Sequence, residues 1–394
     1  MQYSLKGVFN FITIKDIGHI FLCAFVFPFA MIAKIFIRDF WLVCEERKEA
    51  RDNGYYFFKW TRENKPKQKI AYAIDKKSPD YSKVKGLGKV IPYGGVSHWF
   101  WYIVADKNIS SQKGGKPNPA TCYLFEVVLK LRKNNRVFLQ HGITVNKGEW
   151  IFYENTYFWR FITAGEEEHA YILKHFHYPK ERVKLLGFPR FDGLHGVEAD
   201  ERILLVMPTW RNWLGRESRE SKKIAFEKTE YFKKWNGFLQ SEKLKALLKK
   251  YDKKLLFYPH RHMQKFLHYF KAEDENIRVV DWKSADIGEV LKKASLLITD
   301  YSSVFFDFSY MRKPVLFYQF DEKRFREKQY KAGYFDYRNS PLGVWCEREE
   351  TLLKNLEESL KNGLPKKSVE QIKSFFPYYD RENCARVYEE IAKG

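Results

Sequence analysis

Apolar residues in this chain fall into short unbroken runs, alternating with longer stretches where they recur at helical spacing among lysines. Runs that are apolar on both faces are what strands buried within a parallel sheet require. They predict strands at Lys69–Ile74, Arg136–Gln140, Phe161–Ala164, Val183–Leu186, Ile203–Met207, Lys254–Tyr258, Ile277–Val280, Leu296–Thr299 and Val315–Tyr318. Helices are expected between them at Ala120–Arg132, which Pro119 opens, and at Glu166–Phe176, Glu230–Lys250, Ser284–Lys293 and Ser302–Met311. Strand–helix alternation of this kind predicts an α/β fold of doubly wound sheets. A polar stretch near 192–202, between one strand and a fresh one at Ile203, suggests two such domains with a cleft between them, 41–195 and 196–394. Ligands in such folds bind beyond the carboxyl ends of strands, and the search for chemistry starts there.

Residues 1–40 stand apart. Ile17–Ala33 holds no Lys, Arg, Asp or Glu and is followed by Lys34 and Arg38. The run sits at the short edge of the roughly 17–25 residues that span a bilayer. It lacks a small-residue cleavage site, so a removed signal peptide is not expected. Three placements are open, in order of preference: an interfacial or re-entrant membrane anchor, a spanning helix, or a buried helix of the first domain. The basic flank favours a cytoplasmic location for the bulk of the protein if the run spans.

Charge narrows the partners. A net charge of +21 implies something anionic: nucleic acid, an anionic membrane surface or a phosphate-rich substrate. The lysines are dispersed and no RNA-binding module is recognisable, which disfavours nucleic acid. The five cysteines include no CxxC pair, so neither a disulfide framework nor a zinc site is expected.

Four polar clusters end predicted strands. In Gln140-His141-Gly142-Ile143-Thr144 the strand delivers an imidazole, suited to accept an alcohol proton near neutral pH, and Gly142 is expected to let the chain turn. A histidine hydrogen-bonded within a loop explains that residue equally well. Thr209-Trp210-Arg211 follows Met207-Pro208 and offers a guanidinium for phosphate. Tyr258-Pro259-His260-Arg261-His262 adds a second cationic group, without the acidic ligands a metal site would want. Thr299-Asp300-Tyr301-Ser302-Ser303 leads into a predicted helix whose free N–H groups and two hydroxyls suit an anion, with Asp307 one turn further along. The serines as simple helix caps are the plainer alternative. Arg190, in Gly187-Phe188-Pro189-Arg190, is a further cation at a strand end. GxGxxG, GxxxxGK[ST] and GxSxG are all absent from the sequence.

Taken together, LQHGITVNKG, GFPRFD, MPTWR and ADIGEVLKKASLLITDYSSVFFDFSYMRKPVLFYQFD resemble the CDP-glycerol glycerophosphotransferase family of teichoic-acid and capsule enzymes, from about residue 40 to the C-terminus. The resemblance implies two Rossmann-like domains of GT-B type with an interdomain cleft, and CDP-glycerol as donor with no cofactor and no catalytic metal. It implies catalytic roles for His141 and His260. Substrate binding would fall to Gln140, Gly142, Ile143, Thr144, Arg190, Thr209, Trp210, Arg211, Tyr258, Pro259, Ser302, Ser303 and Asp307. Better-known members carry Trp where Gln140 stands and Thr-Pro at Ile143-Thr144, and His262 competes with His260 for the second role. The implied acceptor is a lipid-linked saccharide or polyol-phosphate chain at the cytoplasmic face of the cell membrane. CDP-ribitol as donor and a nucleotide-sugar glycosyltransferase are same-fold alternatives. A non-catalytic membrane scaffold or an RNA-binding protein is the remote one.

Overall fold

The computed structural model describes residues 13–131, 134–215, 226–281 and 287–394. Among the described residues thirteen strands form two separate sheets, both wholly parallel. The first contains β1 (Phe40–Val43), β2 (Lys69–Ile74), β3 (Lys89–Pro92), β4 (Lys107–Ser110), β5 (Arg136–Phe138), β6 (Arg160–Thr163) and β7 (Val183–Leu185), in the order β3-β2-β1-β4-β5-β6-β7. The second contains β8 (Asp200–Met207), β9 (Lys254–Phe257), β10 (Ile277–Val279), β11 (Ala294–Thr299), β12 (Val315–Tyr318) and β13 (Val344–Cys346), in the order β10-β9-β8-β11-β12-β13. In each sheet the chain starts inside, winds outward one way, then returns to wind outward the other. The strand order therefore reverses beside β1 and beside β8, and a crevice for a ligand opens at such a point.

All nine expected strands are present. The pattern missed β1, β3, β4 and β13. β4 shows why: its sequence KNIS reads as polar, yet all four residues are buried. Lys107 lies over the Trp159 ring at 3.8 Å, and the Asn108 amide donates to Tyr102 O and Asn134 Oδ1. Partners from other elements receive the lysine and the amide N–H groups that composition alone would send to the surface.

Several helices differ from expectation. Glu230–Lys250 is two helices, Glu230–Gln240 and Glu242–Lys250, interrupted where Ser241 adopts an extended backbone. The helix opened by Pro119 runs Pro119–Tyr123 and continues as a wider π-helical turn, Leu124–Val128; Arg132 lies outside the described residues. Ile287–Lys293 is helical, while Ser284–Asp286 lie outside the described residues. The helix expected from Ser302 begins only at Phe305 and ends at Tyr310.

The chain divides into two compact units, one of residues 1–143, 148–193 and 380–394, the other of 144–147 and 194–379. This corrects the expected second domain at its end. Helix Asn383–Ala392 belongs to the first unit, where Val387 and Ile391 join Trp41, Val43, Phe57 and Ile162 in one core cluster. The GFPRFD segment holds that helix in place. Asp192 accepts from the backbone N–H groups of Asn383 and Cys384, at 2.9 and 2.8 Å. Gly187, at φ +81°, leaves no room for a Cβ, which would stand 1.7 Å from Asn383 Oδ1.

The N-terminal helix, Ile14–Phe36, is likewise part of the first unit rather than a detached segment. Thr13 and Asp16 form a reciprocal cap at its start. One stripe faces helix Val96–Val104 and its neighbours: Asp16 accepts from Asn118, His19 from the Trp99 indole, Cys23, Val26 and Ala30 are buried, and Lys34 donates to Val104 O and Ala105 O. Phe21, Phe25, Phe29, Ile32 and Phe36 are exposed. Among the described residues this is the one helix long and apolar enough to cross a membrane.

Candidate active site

In the first unit, β5 ends at Phe138 and the next residues turn sharply. The left-handed residue of that turn is Gln140, at φ +59°, and not Gly142 as expected from composition. Gln140 is buried, and its amide donates to Ile162 O at 2.7 Å and Glu168 Oε1 at 3.0 Å. Those bonds hold it in the sheet, which corrects its expected place against substrate. They also hold its strained backbone and thereby aim the next side chain. That side chain, His141, is exposed, whereas Gly142 and Ile143 are buried behind it. Thr144 is half-buried and opens the short segment 144–147 that groups with the second unit.

Around His141 stand residues that sequence reasoning missed. Asp52 caps helix Asn53–Asn64, accepting from Asn53 N–H at 2.7 Å, and pairs with Arg190 Nη1 at 3.1 Å. Asn53 is fully buried. Its amide donates to Leu139 O and Gln140 O, at 3.2 and 2.7 Å, and its oxygen accepts from Arg190 N–H at 3.0 Å. One side chain thus joins the imidazole-bearing turn to the arginine-bearing loop. Glu45, just beyond β1, accepts from the N–H groups of Arg51, Asp52 and Tyr55 and from the Ser111 hydroxyl. Burial, reinforced by Asp52, pushes its carboxyl up to about 7 against the pull of those donors. The His141 pKa lies below the ordinary imidazole value. Desolvation is the main cause; Arg190 adds to it and Asp52 opposes it. That direction favours the neutral imidazole, the form able to take a proton. An earlier signal for Glu45 existed: a carboxylate two residues past the missed strand FWLV.

In the second unit, the ends of adjacent strands β9, β8 and β11 bring His260, Thr209 and Ser302 to one edge of the sheet. His260 is half-buried; its backbone donates to Pro208 O at 3.0 Å. Its Nδ1 accepts from His262 N–H at 3.2 Å, capping the 3-10 helix Arg261–Tyr269. An acceptor role for Nδ1 puts the ring proton on Nε2, making His260 a neutral donor from that nitrogen. Trp210 lies beside both rings, at 6.2 Å from His260 and 5.2 Å from His262. Tyr258 and Pro259 are buried, and Pro259 O accepts from Gln264. Thr209 is buried, and its hydroxyl finds no hydrogen-bond partner among the described residues.

Arg211 is not where a phosphate can reach it. Its guanidinium is wholly buried, bonded through Nε and Nη2 to Asp321 at 2.7 and 2.9 Å, through Nη1 to Thr209 O, and ion-paired with Asp300 at 2.9 Å. Desolvation disfavours its charge, but the two carboxylates outweigh that and raise its pKa. Asp300 also accepts from the N–H groups of Thr209 and Tyr301. This correction has a plain cause: strand ends β8, β11 and β12 converge, and Asp300 and Asp321 flank the arginine from the latter two. Ser302 and Ser303 are half-buried in a turn before the six-residue helix Phe305–Tyr310, with Val304 N–H donating weakly to Ser302 Oγ at 3.4 Å. A helix so short has little dipole to offer. Any anion there would meet hydroxyls and turn N–H groups. Asp307 is buried within that helix.

Among the described residues no group of three or more His, Cys, Asp or Glu is placed to hold a metal ion. The five cysteines are all buried and unpaired with one another.

Three comparisons bear on this geometry. A family model described as CDP-Glycerol:Poly(glycerophosphate) glycerophosphotransferase matches residues 29–393. The chain is 31% identical over 362 residues to the minor teichoic acid biosynthesis protein GgaB of Bacillus subtilis (strain 168), covering 89% of this chain and 39% of that protein. It thus spans well under half the length of that relative. It is 24% identical over 378 residues to a teichoic acid poly(glycerol phosphate) polymerase of Bacillus spizizenii, covering 87% of this chain and 89% of the other. The structure of a single-residue variant of the wall teichoic acid polymerase TagF superposes with a TM-score of 0.67 at 17% identity, over 90% of this chain and 88% of that one, a likeness of fold.

Proposed function

Since this chain belongs to the CDP-glycerol:poly(glycerophosphate) glycerophosphotransferase family, we propose that it transfers glycerol phosphate from CDP-glycerol to a hydroxyl of a lipid-linked or polymeric acceptor in teichoic-acid or capsule synthesis, and that its two α/β units are of the GT-B type. The observation that carries the reading is His141: an exposed imidazole just past a strand end, on a turn that Asn53 ties to Arg190 and its partner Asp52.

In this reading His141 removes the proton from the acceptor hydroxyl. The oxygen attacks the phosphorus that bears glycerol, the bond from that phosphorus to the CMP oxygen breaks, and CMP departs with the electron pair. The product is a phosphodiester. The second unit serves the donor. His260 Nε2–H donates to a phosphoryl oxygen, and the half-buried Ser302 and Ser303 supply hydroxyls to the pyrophosphate. Trp210 flanks His260, and Arg190 acts on the first unit's side with Asp52. Arg211 supports this edge from behind, holding Asp300 and through it the backbone of Thr209 and Tyr301.

The exposed apolar face of Ile14–Phe36, beside a chain of net charge +21, supports attachment to an anionic membrane at its cytoplasmic face, where a lipid-linked acceptor would be found. Flotation with anionic and neutral vesicles tests that attachment.

The activity is tested by incubating the purified chain with CDP-glycerol or CDP-ribitol and lipid-linked acceptors, then identifying products by mass spectrometry. CMP release with a glycerol phosphate mass added to the acceptor is expected. Addition of ribitol phosphate alone would reassign the donor, and no CMP release from either would overturn the proposal.

A further inference from the structure

A second cationic group lies in the first unit, outside the site just described. After β4 the chain reads Gln112-Lys113-Gly114-Gly115-Lys116. Gly115 is required by close packing: a Cβ there would stand 2.1 Å from Cys44 O and 2.2 Å from Ser110 Oγ. The tight turn it permits, with Lys116 N–H donating to Gly114 O, sends two lysines inward on either side. Lys116 is 4% exposed and Arg136, the first residue of β5, 3% exposed. Arg136 Nη2 donates to Lys113 O at 3.2 Å, so the guanidinium reaches the lysine turn. Its Nε and Nη1 are buried without a hydrogen-bond acceptor among the described residues.

The charges do not balance. Among the described residues two carboxylates lie close against these three cations: Glu126, 3.4 Å from Lys116 and shared with the Tyr102 hydroxyl and the Asn134 amide, and Glu46, whose Oε1 stands 3.0 Å from where a Cβ on Gly114 would be. Lys113 points to Trp150 O and lies within 6 Å of the Tyr123 and Trp150 rings, 5.7 and 5.8 Å from their centroids. Desolvation, then Lys116 and Arg136, bring its ammonium down to about 8. Buried guanidinium N–H groups with no acceptor are costly to keep, and cations crowded together repel. An anion with several oxygens relieves both at once, and the half-exposed Lys113 with exposed Trp150 forms the mouth through which it would enter.

We propose that Lys113, Lys116 and Arg136 form a phosphate-binding pocket that holds a phosphate group of the acceptor, either the diphosphate of a lipid carrier or a phosphodiester of a growing polyol-phosphate chain. The cluster of cations with its unpartnered guanidinium N–H groups stands on the geometry; assigning its ligand to the acceptor rests on the transferase reading.

The test uses the whole chain in detergent micelles. Binding of a short glycerol phosphate oligomer and of farnesyl diphosphate is measured by calorimetry for the parent protein, K113Q, R136Q and H141A. Thermal melts establish which variants are folded. K113Q, at the half-exposed mouth, keeps the test decisive if R136Q fails to fold. At least one probe is expected to bind the parent and H141A alike and to weaken by about tenfold or more in K113Q, the loss of one charge-assisted contact. The probe that loses affinity identifies the source of the phosphate. Unchanged affinity for both probes in folded K113Q overturns the pocket, as does parent binding that appears only at molar phosphate. Lys113-dependent binding in a protein that never releases CMP upholds the pocket and removes the transferase reading. Normal CMP release with an unchanged acceptor KM in K113Q does the reverse.

Discussion

Two arginines follow strand ends in this molecule and meet opposite fates. Arg190, in the first unit, pairs through one nitrogen with Asp52, and that carboxylate also caps a helix and is itself partly exposed. Arg211, in the second unit, is enclosed by two buried aspartates and a carbonyl until no donor is left to face outward. The local sequence signal, a guanidinium just past an apolar run, is the same. The difference lies in what the neighbouring strands place beside it. An arginine paired with a partly exposed carboxylate can still tune a reacting group; an arginine enclosed by two buried aspartates and a carbonyl is a structural cross-link. The histidines repeat the contrast. His141 is exposed and feels Asp52 and Arg190 in opposite senses, while His260 Nδ1 is taken up by the His262 N–H.

The sharpest test of that contrast is removal of the base. H141A is expected to lower kcat by about 10²–10⁴-fold, the usual worth of a positioned general base. Donor binding, measured by displacement of labelled CDP-glycerol, should stay within about threefold, since binding unchanged by removal of a catalytic group is the mark of a step-specific role. R211M probes the other side. It leaves Asp300 and Asp321 buried without their cation and is expected to cost about 3–5 kcal/mol of stability, read as a lower urea midpoint. A fully stable R211M that has lost only donor affinity would return Arg211 to the substrate.

A smaller effect is expected at His260. H260A should raise the donor KM by about 10–100-fold, the worth of a hydrogen bond to a charged group, with the acceptor KM unmoved. H260Q, which keeps an N–H donor, should recover part of the loss. The smallest effects are shifts along the pH axis. The base works when neutral, so activity is lost as pH falls through the His141 pKa, which lies below the ordinary value. D52N removes the anion that favours the imidazolium, and the acid limb of kcat/KM should move to lower pH. R190Q removes the cation that opposes it, and the limb should move to higher pH. Movement of both variants in the same direction would mean that His141 is not the group being titrated.

Much of this architecture was legible without coordinates. Nine strands announced themselves as apolar runs, because burial on both faces of a parallel sheet leaves a pattern that needs no partner to be read. The residues at their ends followed, since connectivity alone puts them at the sheet edge. His141, His260, Thr209 and the serine pair stand where those runs stop. Strand β4 escaped because Lys107 and the Asn108 amide N–H groups find their partners in Trp159, Tyr102 and Asn134, which no local pattern announces. With β1 missed, Glu45 was missed too.

Which cation faces a ligand was a tertiary decision. Asp300 lies 89 residues from Arg211 and Asp321 lies 110 away, so the pairing that buries this guanidinium exists only once β8, β11 and β12 are side by side. The same holds for Asn53, which reaches 86 residues to Leu139 O and 137 to Arg190 N–H, and for helix Asn383–Ala392, which returns to the first unit at the end of the chain. Periodicity and turn chemistry act over a few residues and could be read directly. Charge pairing, satisfaction of buried polar atoms and membership of a core depend on distance in space, and the order of strands in the sheet set that distance.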